Sequence, residues 1–380
     1  MTVKLYDENS FLREFTATVL DSYEKADGYF TILDKTAFFP EGGGQPPDIG
    51  FLDDARVYDT QINAGVIYHY TNKQFKKGQK VTGRIDFNRR FDFMQQHSAE
   101  HIVSGIAHSL YGCENVGFHL SEDIVTLDFD LPLNTEQLAE IEKTANQRVM
   151  ENVGINCYYP DEEVLKTLKY RSKKELEGAV RIVEIENTDM CACCAPHVKT
   201  AGQIGIIKLL DTEKLRGGIR IELKAGNRAI KDYNKKYDNV KKISSLLATS
   251  QNETAEAVER LLKNLNDRKF EITNLKNENM LLKIQSLNPQ AEITAHFEND
   301  FTVKDLQRFA DSLFTVYGGI RAVFSPNGDG FAFSICGEED KLRSFFARFK
   351  ESFAVKGGGR NTMFSGNVDA RKQEIEKFFT

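Results

Sequence analysis

No run of apolar residues in this 380-residue chain is long enough to span a bilayer, although 41% of its residues are hydrophobic. A helical membrane anchor is therefore not expected, and the length leaves material for two or three buried cores. The opening residues, Met1-Thr2-Val3-Lys4-Leu5-Tyr6-Asp7-Glu8, lack the apolar stretch of a signal peptide, so a cytoplasmic protein is expected. Cysteine is scarce. The six present have no regular spacing and read as reduced thiols, not as a disulfide framework. Basic residues are not in excess, and a formal net charge of -6 argues against a general nucleic-acid coat protein. It leaves room for a local basic patch, and Arg343 to Thr380 holds eight Lys or Arg against four Asp or Glu. Glycine and proline are absent from residues 229–287, which predicts helix there.

The patterning predicts an α+β chain in four parts. Residues 1–85 carry short alternating runs, such as Phe15 to Leu20, Tyr29 to Leu33 and Val66 to Tyr70, which suit a small N-terminal β-barrel. Within them, Phe39 to Asp48 is a Gly/Pro-rich loop containing Gly42, Gly43, Gly44 and Gln45. Residues 86–228 mix helix and strand: a helix over Asp92 to Leu110, a strand at Val125 to Phe129, and a helix to Glu151 capped by Asn134 or Thr135. Further strands are expected at Ile204 to Leu209 and Ile219 to Leu223. Residues 229–287 form a helical hairpin or coiled-coil arm, broken at Ser250 to Thr254. A 4-3 seam runs through Leu261, Leu265, Arg268, Ile272, Leu275, Asn279 and Leu282. Residues 288–380 form a C-terminal α/β module. It has strands near Ala291 to Phe297, Arg321 to Phe324 and Gly330 to Ile335, a glycine loop Lys356 to Arg360, and a last helix from about Val368.

Two clusters carry metal-binding chemistry. His97-Ser98-Ala99-Glu100-His101 places two imidazoles four residues apart, and Cys193 and His197 have the same spacing within Cys191-Ala192-Cys193-Cys194-Ala195-Pro196-His197. Residues four apart share a helix face, and imidazole with thiolate is the donor set that zinc prefers. Cys191 and Cys194 could substitute for Cys193, and His108, eleven residues past His97, could share its face. Three histidines and one cysteine from distant segments suit a site in a cleft better than a structural knuckle, with a position left for water or substrate. A second reading exists. His97-Ser98-Ala99-Glu100-His101 also matches His-x-x-Glu-His, the inverted zinc-peptidase pattern with Glu100 as base, but that leaves Cys193 and His197 without a role. A third is a non-catalytic tRNA-binding protein with structural zinc. Gly43-Gly44-Gln45 is also the tripeptide at the hydrolytic tip of release factors; with Phe and Pro around it, it reads here as a turn lining a cleft.

Taken in order, these motifs resemble a family. Phe38 to Gly50, Met94 to His101, Cys193 to Gly205 with Gly218 to Glu222 and Gly226, and Lys356 to Arg360 are similar to the motifs of alanyl-tRNA synthetase without its aminoacylation half. The chain is identified as resembling the free-standing, long-form alanyl-tRNA editing proteins called AlaX. The resemblance implies a zinc-containing editing domain and a trans-editing deacylase that hydrolyses serine or glycine from tRNA(Ala). It implies zinc (Zn2+) on His97, His101, Cys193 and His197, and a tail that contacts tRNA or a second copy in a homodimer. Zinc would either lower the pKa of a water or anchor the substrate's amino group or ribose. Glu100, Ser98 and His119 are the candidate catalytic residues and partners for a seryl hydroxyl; Glu100 could equally brace a ligand histidine. Arg216, Arg220, Gly357, Gly358, Gly359 and Arg360 are candidate tRNA contacts. The family often has Thr or Gln where Glu100 stands, and Gly-Gly-Thr where Cys194-Ala195-Pro196 stands; Pro196 has no amide hydrogen to donate.

Overall fold

A computed structural model describes residues 1–25, 27–172, 179–287 and 290–380. The chain divides into two compact units, Met1–Ser245 and Leu246–Thr380. The residues expected to form one arm therefore fall on both sides of that division, and residues 288 and 289, which open the expected C-terminal module, lie outside the described ones.

In the first unit, alternation at period two produces strands with one buried face, as in Glu14–Lys25, where Phe15, Ala17 and Val19 point inward. Six strands close into a barrel in the order Glu14–Lys25, Gly28–Leu33, Val66–Thr71, Ala55–Asn63, Gly50–Leu52, Lys80–Ile85. Leu33, Phe38, Leu52, Val57 and Val81 fill it. The loop at Phe39 to Asp48 leaves the barrel toward the helix that follows.

That helix, Phe87–Tyr111, starts at Asp86, whose side chain accepts from the Arg89 amide, and ends at Gly112 in a left-handed conformation. It is buried on every side from Phe93 to Ala107, so it forms the axis of the unit and not an amphipathic cover. Against it pack a sheet ordered Ile207–Leu215, Gly218–Ala225, Val125–Phe129, Asn115–Leu120 and a second ordered Ile155–Tyr158, Ile182–Ile185, Asp189–Ala192. The helix Thr135–Glu151 is capped by Asn134, which forms a reciprocal capping box with Gln137. Gly105 sets the approach of the second sheet. A Cβ there would stand 2.5 Å from the Thr188 carbonyl oxygen and 2.7 Å from the Asp189 Cβ.

The helix Gly226–Leu247 carries the chain to the end of the first unit at Ser245 and two residues beyond, and Ala248 turns it with a positive φ of 48°. In the second unit the helix Thr254–Ser286 buries Met280 and Ile284 against Leu306, Phe309 and Leu313 of the helix Val303–Tyr317. Met280 and Ile284 lie off the predicted seam, whose apolar members are open: Leu261, Leu265, Ile272, Leu275 and Leu282 are 50–66% exposed. A five-stranded sheet follows, ordered Ile293–Phe297, Ile320–Asn327, Gly330–Cys336, Met363–Asp369, Ala354–Arg360. Along Ile320–Asn327, Ile320, Ala322 and Phe324 face one core and Val323 faces the other, so the sheet is covered on both sides.

The structure corrects two expectations here. Lys356 to Arg360 is not a loop but part of the exposed edge strand Ala354–Arg360, paired antiparallel with Met363–Asp369. The partner strand comes so close that a Cβ on Gly357 would lie 2.4 Å from the Ser365 carbonyl oxygen, and one on Gly359 2.0 Å from that of Met363. The last helix accordingly begins at Lys372, with a strand over the residues where it was expected to start.

Candidate metal centre

Four side chains from two segments converge: His97, His101, Cys193 and His197, whose donor atoms all lie within 4.8 Å of one another. The i, i+4 spacing on the long helix stacks the His97 and His101 rings, with centroids 5.4 Å apart. The His197 ring stands edge-on to both, at 4.9 and 4.8 Å. All three histidines are buried. The segment with Cys193 and His197 is fixed from outside: Arg181 donates to the carbonyls of Cys193 (3.1 Å) and Ala195 (2.8 Å), and Ser10 Oγ donates to that of His197 (2.8 Å).

Each histidine has its Nδ1 held by a different partner. His97 Nδ1 lies 3.0 Å from Gln45 Oε1, His101 Nδ1 3.1 Å from Asp189 Oδ2, and His197 Nδ1 2.9 Å from Ser98 Oγ. Asp189 is itself gripped by Arg171 at 2.8 and 2.9 Å. With Nδ1–H donating outward, each Nε2 turns its lone pair inward, the arrangement that ligating histidines need. Cys193 Sγ lies 3.6 Å from His97 Nε2 and 3.5 Å from His197 Nε2. A tetrahedral ion with ordinary zinc–sulfur and zinc–nitrogen bonds would separate S and N by about 3.6 Å. His101 Nε2 is buried with no hydrogen-bond partner. The donor set therefore fits a metal ion.

The electrostatics favour the ligating form at Cys193 and His197, while at His101 the neighbouring carboxylates favour the protonated imidazole in the absence of an ion. Burial would raise the Cys193 thiol, but His97, His101 and His197 outweigh it and hold its pKa well below the usual value, favouring thiolate. Burial pushes His197 down to about 3, which keeps its imidazole neutral. Burial opposes a charge on His101 as well, but Glu100 and Asp189 outweigh it and raise its pKa. Cys194 stays outside the set: its sulfur lies under Gly42 and Gly43, and burial raises its pKa to about 11. Cys191 is buried on the far side of His101, grouped with Asp189.

Several sequence-predicted residues end elsewhere. Glu100 is buried beside the cluster; its Oε1 accepts from Ser104 Oγ (2.8 Å) and Asn115 Nδ2 (2.6 Å), and its Oε2 lies 3.8 Å from His101 Nε2. Ser98 holds His197 and is not turned to a substrate position. His119 does not join: it is exposed, while its neighbour Phe118 packs on His97 at 4.8 Å, and adjacent strand residues face opposite sides. His108 is also exposed and pairs with Glu114. Arg220 is occupied by Asp128, two strands being in register there, so its charge is neutralised within the sheet. Arg216 is exposed at the turn between Ile207–Leu215 and Gly218–Ala225. Gly42 to Gln45 does reach the cluster, through a tight turn in which Gly43 and Gly44 have φ of 60° and 80°. Asp189, Arg171, Asn115 and Ser104 carried no signal in the sequence, because none has motif spacing; only the folded sheets bring them to the histidines.

The family described as tRNA synthetases class II (A) matches residues 6–89, and the one described as threonyl and alanyl tRNA synthetase second additional domain matches residues 180–222. The alanyl-tRNA editing protein Aarsd1-A of Xenopus laevis is 30% identical, over 92% of this chain and 87% of its own length. The alanyl-tRNA editing protein AlaX-L of Pyrococcus horikoshii is 28% identical, over 99% of this chain and 96% of its own. The alanine–tRNA ligase of Pyrococcus abyssi is 33% identical over 99% of this chain but only 43% of the ligase. With end-to-end similarity at this level, the chain belongs to the family of alanyl-tRNA editing proteins.

Proposed function

We propose that this protein removes serine or glycine wrongly esterified to tRNA(Ala), at a zinc ion held by His97, His101, Cys193 and His197. The observation that carries this reading is the convergence of those four donors, with each imidazole braced through Nδ1. In the reaction, water oxygen bonds to the acyl carbon, the ester C–O bond breaks, and the ribose hydroxyl takes up a proton. A bound zinc supplies Lewis-acid charge at that centre. Around it, Glu100 is held by Ser104 and Asn115 with one oxygen toward the cluster, where it can accept a proton or a substrate hydrogen bond. A buried partner for the seryl hydroxyl discriminates against alanine, since alanine leaves that partner unpaired. Ser98 supports the site by fixing His197.

The tRNA body would be met by exposed basic residues, Arg216 and the edge strand through Gly357, Gly358, Gly359 and Arg360, whose glycines leave the backbone open to a phosphate. The exposed seam of the helix Thr254–Ser286 suits a second copy of the chain. The free cysteines suit a reducing compartment such as the cytoplasm. The peptidase alternative fares worse, because the donors that complete the cluster are Cys193 and His197, not a distant glutamate.

The decisive experiment is deacylation of Ser-, Gly- and Ala-charged tRNA(Ala). Release of serine and glycine, sparing of alanine, and loss of activity with a chelator are expected. Intact Ser-tRNA(Ala) after incubation with the zinc-loaded protein would sink the reading.

A further inference from the structure

The glycine turn delivers one side chain to the metal cluster, Gln45, and that residue is 1% exposed. Its position is built by local constraints. Gly42 and Gln45 bridge each other at 3.2 and 3.0 Å, and the two glycines between them adopt the left-handed conformation the turn requires. Gly44 is pressed against Phe118; a Cβ there would lie 2.8 Å from the ring, and that ring packs on His97. Three residues on, Asp48 accepts from the Phe39 amide at 2.6 Å and is paired with the fully buried Arg90, two turns before His97 on the same helix. The turn is thus clamped to the helix that carries the ligands.

The head of Gln45 has two ends. His97 Nε2 faces Cys193, so Nδ1 carries the hydrogen and must meet an acceptor, which identifies the group at 3.0 Å as Oε1. The amide nitrogen is then directed elsewhere, and Gln45 Nε2 is buried without a hydrogen-bond partner. A buried donor left unpaired is costly and in a folded protein calls for a role.

We infer that Gln45 acts twice: its Oε1 positions His97 for the metal, and its Nε2 donates to the carbonyl oxygen of the aminoacyl ester, where negative charge develops as water adds. This rests on the ester-hydrolysis reading above. The carbonyl is common to seryl and glycyl esters, so the donor serves rate on both and does not choose between them.

Two variants separate the two roles. Gln45→Glu keeps an acceptor for His97 Nδ1, in the carboxylate–histidine–metal arrangement, but removes the donor. Gln45→Met keeps the length and removes both. Wild-type release of serine and glycine from tRNA(Ala) is the reference; if wild type is inactive, the functional reading fails and not this one. With active wild type, Gln45→Glu is expected to retain one zinc per chain at wild-type affinity and lose about 10²–10³ in kcat on both substrates, with KM little changed. Gln45→Met is expected to lose about 10–100-fold in zinc affinity as well, read by competition with a chromogenic chelator. Unchanged kcat in Gln45→Glu, or a loss confined to the seryl substrate, overturns the donor role. Wild-type zinc affinity in Gln45→Met overturns the positioning role.

Discussion

Which thiol would hold a metal in the proposed site is a question one atom decides. Three cysteines lie within four residues, yet only Cys193 Sγ is within reach of three imidazoles. Cys193→Ser is expected to abolish stoichiometric zinc by elemental analysis, whereas Cys194→Ser retains it. Loss of zinc in Cys194→Ser with retention in Cys193→Ser would reverse the assignment. Another buried residue, His69 in the barrel, makes a separate prediction. Its Nε2 lies 2.8 Å from Thr36 Oγ1 and its Nδ1 3.0 Å from the Thr31 carbonyl, and burial lowers its pKa to about 4. Between pH 6.5 and 4 the unfolded chain takes up a proton that the folded chain refuses, so stability falls as pH falls. At about 1.4 kcal/mol per pH unit, the loss across that window is roughly 3 kcal/mol. Urea titrations at pH 7 and 4.5 should show a larger loss in wild type than in His69→Gln. Equal losses would mean that His69 is not held neutral.

Elements show where local pattern suffices. The strand Val125–Phe129 and the Asn134 cap could be read from sequence because alternation and capping chemistry act over a few residues. The i, i+4 pairs His97 with His101 and Cys193 with His197 could be read for the same reason. His108 could not be placed by phase alone. It returns to the angle of His97 but lies about 16 Å further along the axis, beyond the buried stretch, and cannot share an ion with it. The glycine run at 357–359 misled because Gly is a poor strand former by local preference, while here the neighbouring strand comes too close for a larger residue at Gly357 and Gly359, though not at Gly358. The helix Thr254–Ser286 presents the opposite case: the heptad seam is clear in sequence, and the structure leaves its leucines exposed within their unit. A seam of this kind is satisfied by a second helix of like pattern. Light scattering should therefore show a dimer that Leu265→Glu with Leu275→Glu converts to monomer, leaving deacylation per chain intact. An unchanged mass would remove the seam from the interface.

At the scale of the whole molecule, chemistry and charge sit on different units. The His/Cys cluster lies in Met1–Ser245, while the basic excess lies after Arg343, in Leu246–Thr380. The net charge of -6 gives the chain no general attraction for RNA, so binding must draw on local patches. Lys356 and Arg360 are exposed at the two ends of the glycine run, on an edge strand whose backbone is open. If these residues hold phosphates, they contribute equally to the ground state and the transition state, and their loss should appear in KM and not in kcat. Lys356→Glu with Arg360→Glu is expected to raise KM for Ser-tRNA(Ala) about tenfold or more at moderate salt. The slope of log KM against log salt should become shallower by about one to two, one counterion's worth per lost contact. Zinc content and the rate at saturating tRNA should stay at wild-type values, because no residue of the cluster is touched. A fall in kcat with an unchanged salt slope would show that the edge strand does not meet the tRNA backbone.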